Sequence, residues 1–141
     1  MKFTIVLSFD ADGEVWGSCD VDGAGIHTFA DTVEGIVANV RDQIEDFRQH
    51  EWKNETQWQG VDVHAIDFDF QYSLVDFFDK FTAIKISEIA KLAGINPALA
   101  RAYANGDKNP SLAQVKKIEE AAHRLAKSLL QVQIVPPSVA A

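Results

Sequence analysis

The segment 86–111 constrains the fold of this chain most, because two short apolar-periodic runs within it are each closed by a glycine. The first run begins at Ser87 and ends at Gly94, and the second begins at Asn96 and ends at Gly106. Two short helices joined by a tight glycine turn form a helix-turn-helix, whose second helix is able to enter the major groove of DNA. The segment therefore predicts such a motif inside a helical C-terminal domain.

The residues around this motif predict its caps and its core. Asn96 is expected to accept from the first amides of the second helix, and Pro97 suits the first turn because it has no N–H to leave unpaired. Another helix is predicted after Pro110, then a last short strand at 131–135 and a disordered tail at 136–141. The predicted core consists of Ile89, Ala90, Ile95, Leu99, Tyr103, Leu112 and Ile118.

Short apolar and polar runs separated by turn-forming residues fill the first part of the chain. A meander of three strands is predicted at 3–9, 14–21 and 26–29. The Asp31-x-x-Glu34 pair has the form of a capping box and precedes apolar residues at helical spacing, which predicts a helix at about 32–48. The alternation over 61–70 predicts a fourth strand, and Ser73 is expected to cap the helix that opens the second domain.

These elements predict an α+β protein, and its 141 residues suffice for two small domains. Residues 1–70 are predicted to form a small β-sheet with one packed helix. Residues 73–135 are predicted to form an all-α domain that contains the helix-turn-helix.

Charge divides the chain at nearly the same place. Residues 1–84 contain 5 Lys and Arg against 17 Asp and Glu, a net charge of -12, whereas residues 85–141 contain 8 against 4, a net charge of +4. Such an abrupt change indicates two functional halves. The acidic half is expected to repel nucleic acid and attract a basic partner, and the basic half is able to approach phosphate.

Composition argues against several other classes of protein. No run of 18 apolar residues is present, so no membrane span is predicted. The start at Met1 lacks the layout of a signal peptide, and a bacterial-type cytoplasmic protein is expected. Cys19 is the only cysteine, which excludes an intrachain disulfide and argues against a thiolate zinc site.

The segment 88–111 resembles the Cro/C1-type helix-turn-helix family through Glu88-Ile89-Ala90, through Gly94-Ile95-Asn96 and through the closing run 106–111. The resemblance implies that the second helix, at about 97–104, contacts bases of double-stranded operator DNA and that the domain works as a homodimer or higher homo-oligomer. The residues expected to contact DNA are Lys91, Asn96, Pro97, Ala98, Arg101, Asn105, Lys108 and Lys116.

The proposed recognition helix departs from the family, in which the base-contacting positions are usually polar. Pro97, Ala98 and Ala102 fall among those positions, and alanine is able to touch a thymine methyl group but donates no hydrogen bond. Modest sequence discrimination is therefore expected, with the lysines contacting phosphates. The alternative is a helical dimerisation module that has kept the fold without binding DNA.

The acidic half resembles the HicB antitoxin family in the run 22–26 and in the run 30–36 followed by an amphipathic helix. The likeness covers roughly 1–47 and the strand near Val61, and some HicB proteins also have a Cro/C1-like C-terminal domain. Asp22 stands where the family usually has a proline. The resemblance implies a partial RNase H-like fold, neutralisation of a small basic HicA-like ribonuclease toxin, and repression of the operon.

Two other functions remain open. An RNase H-like nuclease would hold two metal ions with carboxylates, for which Asp10, Asp12, Glu14, Asp20, Asp22, Asp67 and Asp69 are the candidates. Asp10 and Asp12 lie in a predicted turn, and the others have similar structural explanations, so we predict no enzyme activity, no metal site and no cofactor. The remaining alternative is a stand-alone transcriptional regulator with an acidic sensor or oligomerisation domain.

The three tryptophans and the histidines are further candidate functional residues. Trp16, Trp52 and Trp58 are candidate interface anchors, and packing in the core is the equal alternative. Strands are predicted to hold His27 and His64, and no pair of histidines has the spacing of metal ligands.

Overall fold

The computed structural model describes residues 1–137, which divide into two compact units, one over Met1–Asp76 and one that begins at Phe77. The chain is α+β, with a four-stranded mixed sheet and five α-helices in this described part. The first unit has 4 Lys and Arg against 16 Asp and Glu, and the sequence from Phe77 onward has 9 against 5. Most of the tail predicted at 136–141 lies outside the described residues.

The sheet of the first unit begins with the predicted meander, which is confirmed. Strands β1 (Lys2–Phe9), β2 (Val15–Val21) and β3 (Ala24–Ala30) pair antiparallel in sequence order. Strand β4 (Asp67–Gln71) adds to the free side of β1 in parallel, which gives the order β3-β2-β1-β4. The core therefore forms on one face of a mixed sheet.

A two-residue turn joins β2 to β3. Asp22 and Gly23 both have positive φ, 51° and 86°, which matches the type I′ turn favoured by a twisted hairpin. Proline has φ fixed near -65° and is excluded from this position. The aspartate at position 22 therefore fits the turn that this chain makes.

Helix α1 (Val33–Gln49) packs on the core face of the sheet through Ile36, Val40 and Ile44. Its N-cap is Thr32, whose Oγ1 accepts from the Gly35 backbone N–H at 3.0 Å. The capping box predicted from Asp31 was therefore wrong by one residue, because the hydroxyl of Thr32 occupies the position that satisfies the first turn.

The fourth strand is shorter than predicted. Residues Val63–Ala65 form a 3-10 turn instead of a strand, so His64 is not in a strand either. The Arg41 guanidinium donates to the carbonyl oxygens of Val63 at 3.2 Å and Ile66 at 3.0 Å. The Asp62 carboxylate accepts from the His64 N–H at 3.0 Å. These local partners satisfy backbone groups that a longer strand would have paired in the sheet.

Four helices follow the sheet. Helix α2 (Leu74–Lys80) is capped as predicted, with the Asp76 N–H donating to Ser73 Oγ at 3.1 Å. Helix α3 (Ile86–Ala93) begins after Lys85, so Ser87 lies inside the helix and does not cap it. The remaining helices are α4 (Pro97–Ala104) and α5 (Leu112–Leu130).

Most of the predicted core of the second unit is buried, with Leu99 half-buried. Leu112 is a clear error, because it opens α5 beside the Ser111 cap and is 73% exposed. Ala100 and Ala121 are buried instead, since their small side chains let the helices approach closely. The strand predicted at 131–135 is wrong: the described residues after Phe77 contain no strand for it to pair with, and Ile134 is 92% exposed.

Candidate functional site

A left-handed glycine joins α3 to α4. Gly94 has φ 71° and ψ 33°, and the Ile95 N–H donates back to the Ala90 carbonyl at 2.9 Å, which closes the C-terminus of α3. Asn96 then caps α4, with its Oδ1 accepting from the Ala98 N–H at 2.8 Å. The Asn96 side chain therefore keeps its Nδ2 group and one lone pair of Oδ1 for contacts outside the turn.

Helix α4 has one buried face and one exposed face. Ala100 and Tyr103 are buried within the second unit, and Pro97 is half-buried. Ala98, Arg101 and Asn105 are all exposed, at spacings of three and four residues that place them on one helical face. This face presents a methyl group, a guanidinium and an amide side by side.

The segment after α4 is fixed by backbone hydrogen bonds. The N–H groups of Asp107 and Lys108 both donate to the Ala102 carbonyl, at 2.9 and 3.3 Å, and Gly106 has φ 78°. Lys108 is exposed in this turn, next to Asp107. A cationic side chain is therefore held close to the C-terminus of the exposed helix face.

The other two predicted lysines lie on the helices that flank α4. Lys91 is exposed on α3, and its Nζ lies 3.4 Å from the Glu88 carboxylate. Lys116 is exposed on α5, which packs against α3. Sequence analysis assigned no role to Arg124, whose guanidinium donates to the Leu92 carbonyl and joins α5 to α3.

The candidate carboxylates of the first unit mostly stabilise turns. Asp10 Oδ1 accepts from the N–H groups of Asp12 at 3.0 Å and Glu14 at 2.9 Å. Desolvation acts to raise the pKa of Asp10, but hydrogen bonds from Glu14, Trp16 and Asp12 outweigh it and lower the pKa below the ordinary value. Desolvation and repulsion from the neighbouring aspartates raise the pKa of Glu14.

The other carboxylates also have identified partners or exposed positions. Asp20 Oδ1 accepts from the Gly23 N–H at 3.0 Å, and Asp22 Oδ2 accepts from the Trp58 indole N–H at 2.9 Å. Asp69 lies 3.2 Å from Lys2 Nζ, and Asp67 is exposed on β4. Within residues 1–137, the structure contains no group of three or more His, Cys, Asp or Glu side chains arranged to hold a metal ion.

Two of the three tryptophans lie in the core, and the third lies on the surface. Trp58 is 2% exposed and stacks on the half-buried Trp52 with ring centroids 4.7 Å apart, so both are core residues. Trp16 instead packs against Phe29 on the surface. Its position could have been inferred, because it is out of phase with the apolar residues of β2 that face the core.

Within residues 1–137, none of the helices has both the length and the apolar character needed to cross a bilayer. Comparison of the chain with protein-family models, with curated proteins and with solved structures finds no match.

Proposed function

We propose that this chain is the antitoxin and transcriptional autorepressor of a HicAB-type toxin–antitoxin system. The acidic first unit neutralises a basic HicA-like ribonuclease toxin, and the cationic second unit represses the operon by binding its DNA. The observation that carries the proposal is the charge division, with 16 acidic against 4 basic residues over Met1–Asp76 and 5 against 9 in the sequence from Phe77.

Electrostatics supports the toxin-binding half of the proposal. A ribonuclease that binds RNA presents positive charge to the phosphates of its substrate. A strongly negative protein of similar size competes for that surface, and complementary potentials speed and orient the encounter. The order β3-β2-β1-β4, with the fourth strand parallel to the first, supports the partial RNase H-like fold that we propose for this unit.

The exposed face of α4 supports the DNA-binding half. Arg101 suits a guanine edge, Asn105 an adenine edge and Ala98 a thymine methyl group, whereas Lys91, Lys108 and Lys116 suit phosphates. In a dimer, two such faces contact half-sites about 34 Å apart or a multiple of that distance. The small base-contacting set implies modest sequence discrimination.

Arg101→Ala is expected to weaken operator binding by about 1–3 kcal/mol, because it removes the one guanidinium on the exposed face of α4. Fluorescence anisotropy with a promoter fragment measures the effect. Arg101→Lys is the matched control, since it keeps the charge and loses the planar fork that pairs with guanine. An isotherm identical to that of the parent would remove Arg101 from the base-contacting set.

Growth rescue tests the whole proposed function. The proposal requires that a small basic protein be encoded beside this chain's gene, and that protein is expressed alone and together with the chain. Alone it is expected to cleave RNA and arrest growth, and co-expression is expected to restore growth. A basic neighbour that causes no arrest, or an arrest that the chain fails to relieve, would favour the stand-alone regulator.

A further inference from the structure

One face of the sheet in the first unit is buried and the other is open. Ile5 and Leu7 of β1, with Val15, Cys19 and Val21 of β2, are buried in the core. The alternate residues of the same strands point the other way and stay exposed or half-exposed. We call this second surface the open face.

An aromatic pair stands on the open face. Trp16 and Phe29 are register partners on β2 and β3, and their ring centroids are 5.1 Å apart. Their exposed fractions are 46% and 56%, and Val6 on β1 is 47% exposed. Large apolar side chains grouped on a surface typically mark an interaction site, and tryptophan is enriched among residues that dominate binding energy.

A shallow concavity of about 610 Å³ lies on the open face of the same sheet. Val6 belongs both to its lining and to the apolar group, and most of the other residues that line it carry polar side chains. The side chains that line it include Thr4, Ser18, Asp20, His27 and Gln71. A partner side chain seated there would meet hydrogen-bonding groups beside the apolar ridge.

The charge around this surface is negative. Asp10, Asp12 and Glu14 form the turn that leads into β2 two residues before Trp16, and Asp31 follows β3 two residues after Phe29. Desolvation raises the pKa of Glu14, and the negative charges of Asp10, Asp31 and Asp12 raise it further. The aromatic pair is therefore bordered by crowded negative charge.

The basic residues of the first unit do little to offset that charge. Lys2, which lines the concavity, is paired with Asp69 at 3.2 Å, and Arg48 is paired with Glu45 at 2.7 Å. Arg41 and Arg48 both lie on α1, which packs on the opposite face of the sheet. Lys53 is the fourth and last basic residue in the sequence of the first unit, Met1–Asp76. A protein with cationic side chains on its surface is therefore electrostatically complementary to this face, which speeds and orients its docking.

We propose that the open face, centred on Trp16 and Phe29, is the docking surface for a cationic protein whose arginine or lysine stems pack on the aromatic pair. The inference rests on the proposed function and names the surface through which the first unit takes its toxin. An arginine over the Trp16 ring adds a cation–π contact to the apolar packing, and the bordering carboxylates pair with flanking cations.

Replacing the aromatic pair tests the surface directly. The probe is the purified basic protein encoded beside this chain's gene, titrated against the full chain by calorimetry. Trp16→Ala/Phe29→Ala is expected to raise Kd at least about 30-fold. The matched control is Phe70→Ala, which removes an exposed aromatic ring of the same unit from β4 and is expected to change Kd less than about threefold.

A second pair of variants tests the charge argument without touching the aromatic rings. Asp12→Asn/Asp31→Asn removes two charges beside the aromatic pair, and Asp42→Asn/Asp46→Asn removes two exposed charges from α1. The first is expected to slow association about tenfold at low salt, and the second less than threefold. Circular dichroism and melting curves confirm that every variant is folded.

The outcomes separate the two proposals. Absence of any complex between the parent chain and the basic protein would overturn both. A complex whose Kd is the same in the parent and in Trp16→Ala/Phe29→Ala would overturn this inference and leave the proposed function standing. Loss of self-association in that variant by sedimentation velocity, with partner affinity unchanged, would assign the open face to a second copy of the chain and also overturn it.

Discussion

Trp58→Ala is expected to lower the free energy of unfolding of the first unit by about 3–5 kcal/mol, the range for deleting a large aromatic side chain from a core. The indole is 2% exposed and stacks on Trp52 and Phe3 with centroid distances of 4.7 and 6.2 Å. Its N–H donates to Asp22 in the β2–β3 turn at 2.9 Å. The substitution therefore removes a ring stack and a link between the loop after α1 and a hairpin.

Tryptophan fluorescence during urea unfolding measures this loss in the first unit, because all three tryptophans of the chain lie in it. Trp58→Phe is the control, since it keeps an aromatic ring in the core while losing the N–H donor and the second ring of the indole, with an expected cost of about 1–3 kcal/mol. Equal midpoints for Trp58→Ala and the parent would contradict the placement of the indole in the core.

Gly17→Ala is expected to destabilise the first unit by about 1–3 kcal/mol through overpacking. Helix α1 crosses β2 so closely that a Cβ at Gly17 would lie 2.6 Å from Ile36 Cγ2 and 3.3 Å from Ile5 Cγ2. Both isoleucines are fully buried, so neither methyl group has open space into which to move. Relief requires the helix and the sheet to separate.

Gly25→Ala is the matched control for this prediction. Gly25 is also a strand glycine, but its Cβ would meet only His27 Nε2 at 3.6 Å, an ordinary contact. Its unfolding free energy is expected to change by less than about 0.5 kcal/mol. In the double variant Gly17→Ala/Ile36→Ala, the loss of unfolding free energy is expected to be smaller than the sum of the losses in the two single variants, because the Ile36 methyl group that clashes is absent. Strict additivity would contradict the steric explanation.

Local sequence patterns predicted the elements whose stability comes from local chemistry. Turn residues and alternation located β1, β2 and β3, and helical spacing located α1 to within one residue at each end. Asp31 was predicted as the N-cap of α1, but the cap is Thr32. Either side chain suits an N-cap, and only the path of the backbone decides between them.

Long-range contacts explain the larger errors. Alternation over 61–70 predicted a full strand, but Arg41, more than twenty residues earlier, takes the carbonyls of Val63 and Ile66. Periodicity likewise placed Leu112 in the core of the second unit, but Leu112 is exposed and Ala100 and Ala121 are buried. A single-sequence pattern carries no information about such distant partners.

The candidate sites were partly predictable. The resemblance to the Cro/C1-type family singled out Ala98, Arg101 and Asn105 as DNA-contacting residues, and the structure exposes all three on one face of α4. Trp16 could have been placed outside the core from its phase in β2, but its packing on Phe29 depends on the register between two strands.

Binding between the purified chain and the small basic protein encoded beside its gene tests the central claim, that the acidic unit captures a cationic protein. Light scattering after size-exclusion chromatography of the nuclease-treated mixture measures the complex without any bridging by nucleic acid. The account predicts a stoichiometric complex that weakens as salt is raised, because opposite charges draw the two proteins together. Two separate peaks at low salt, each with the mass of one protein alone, would contradict it.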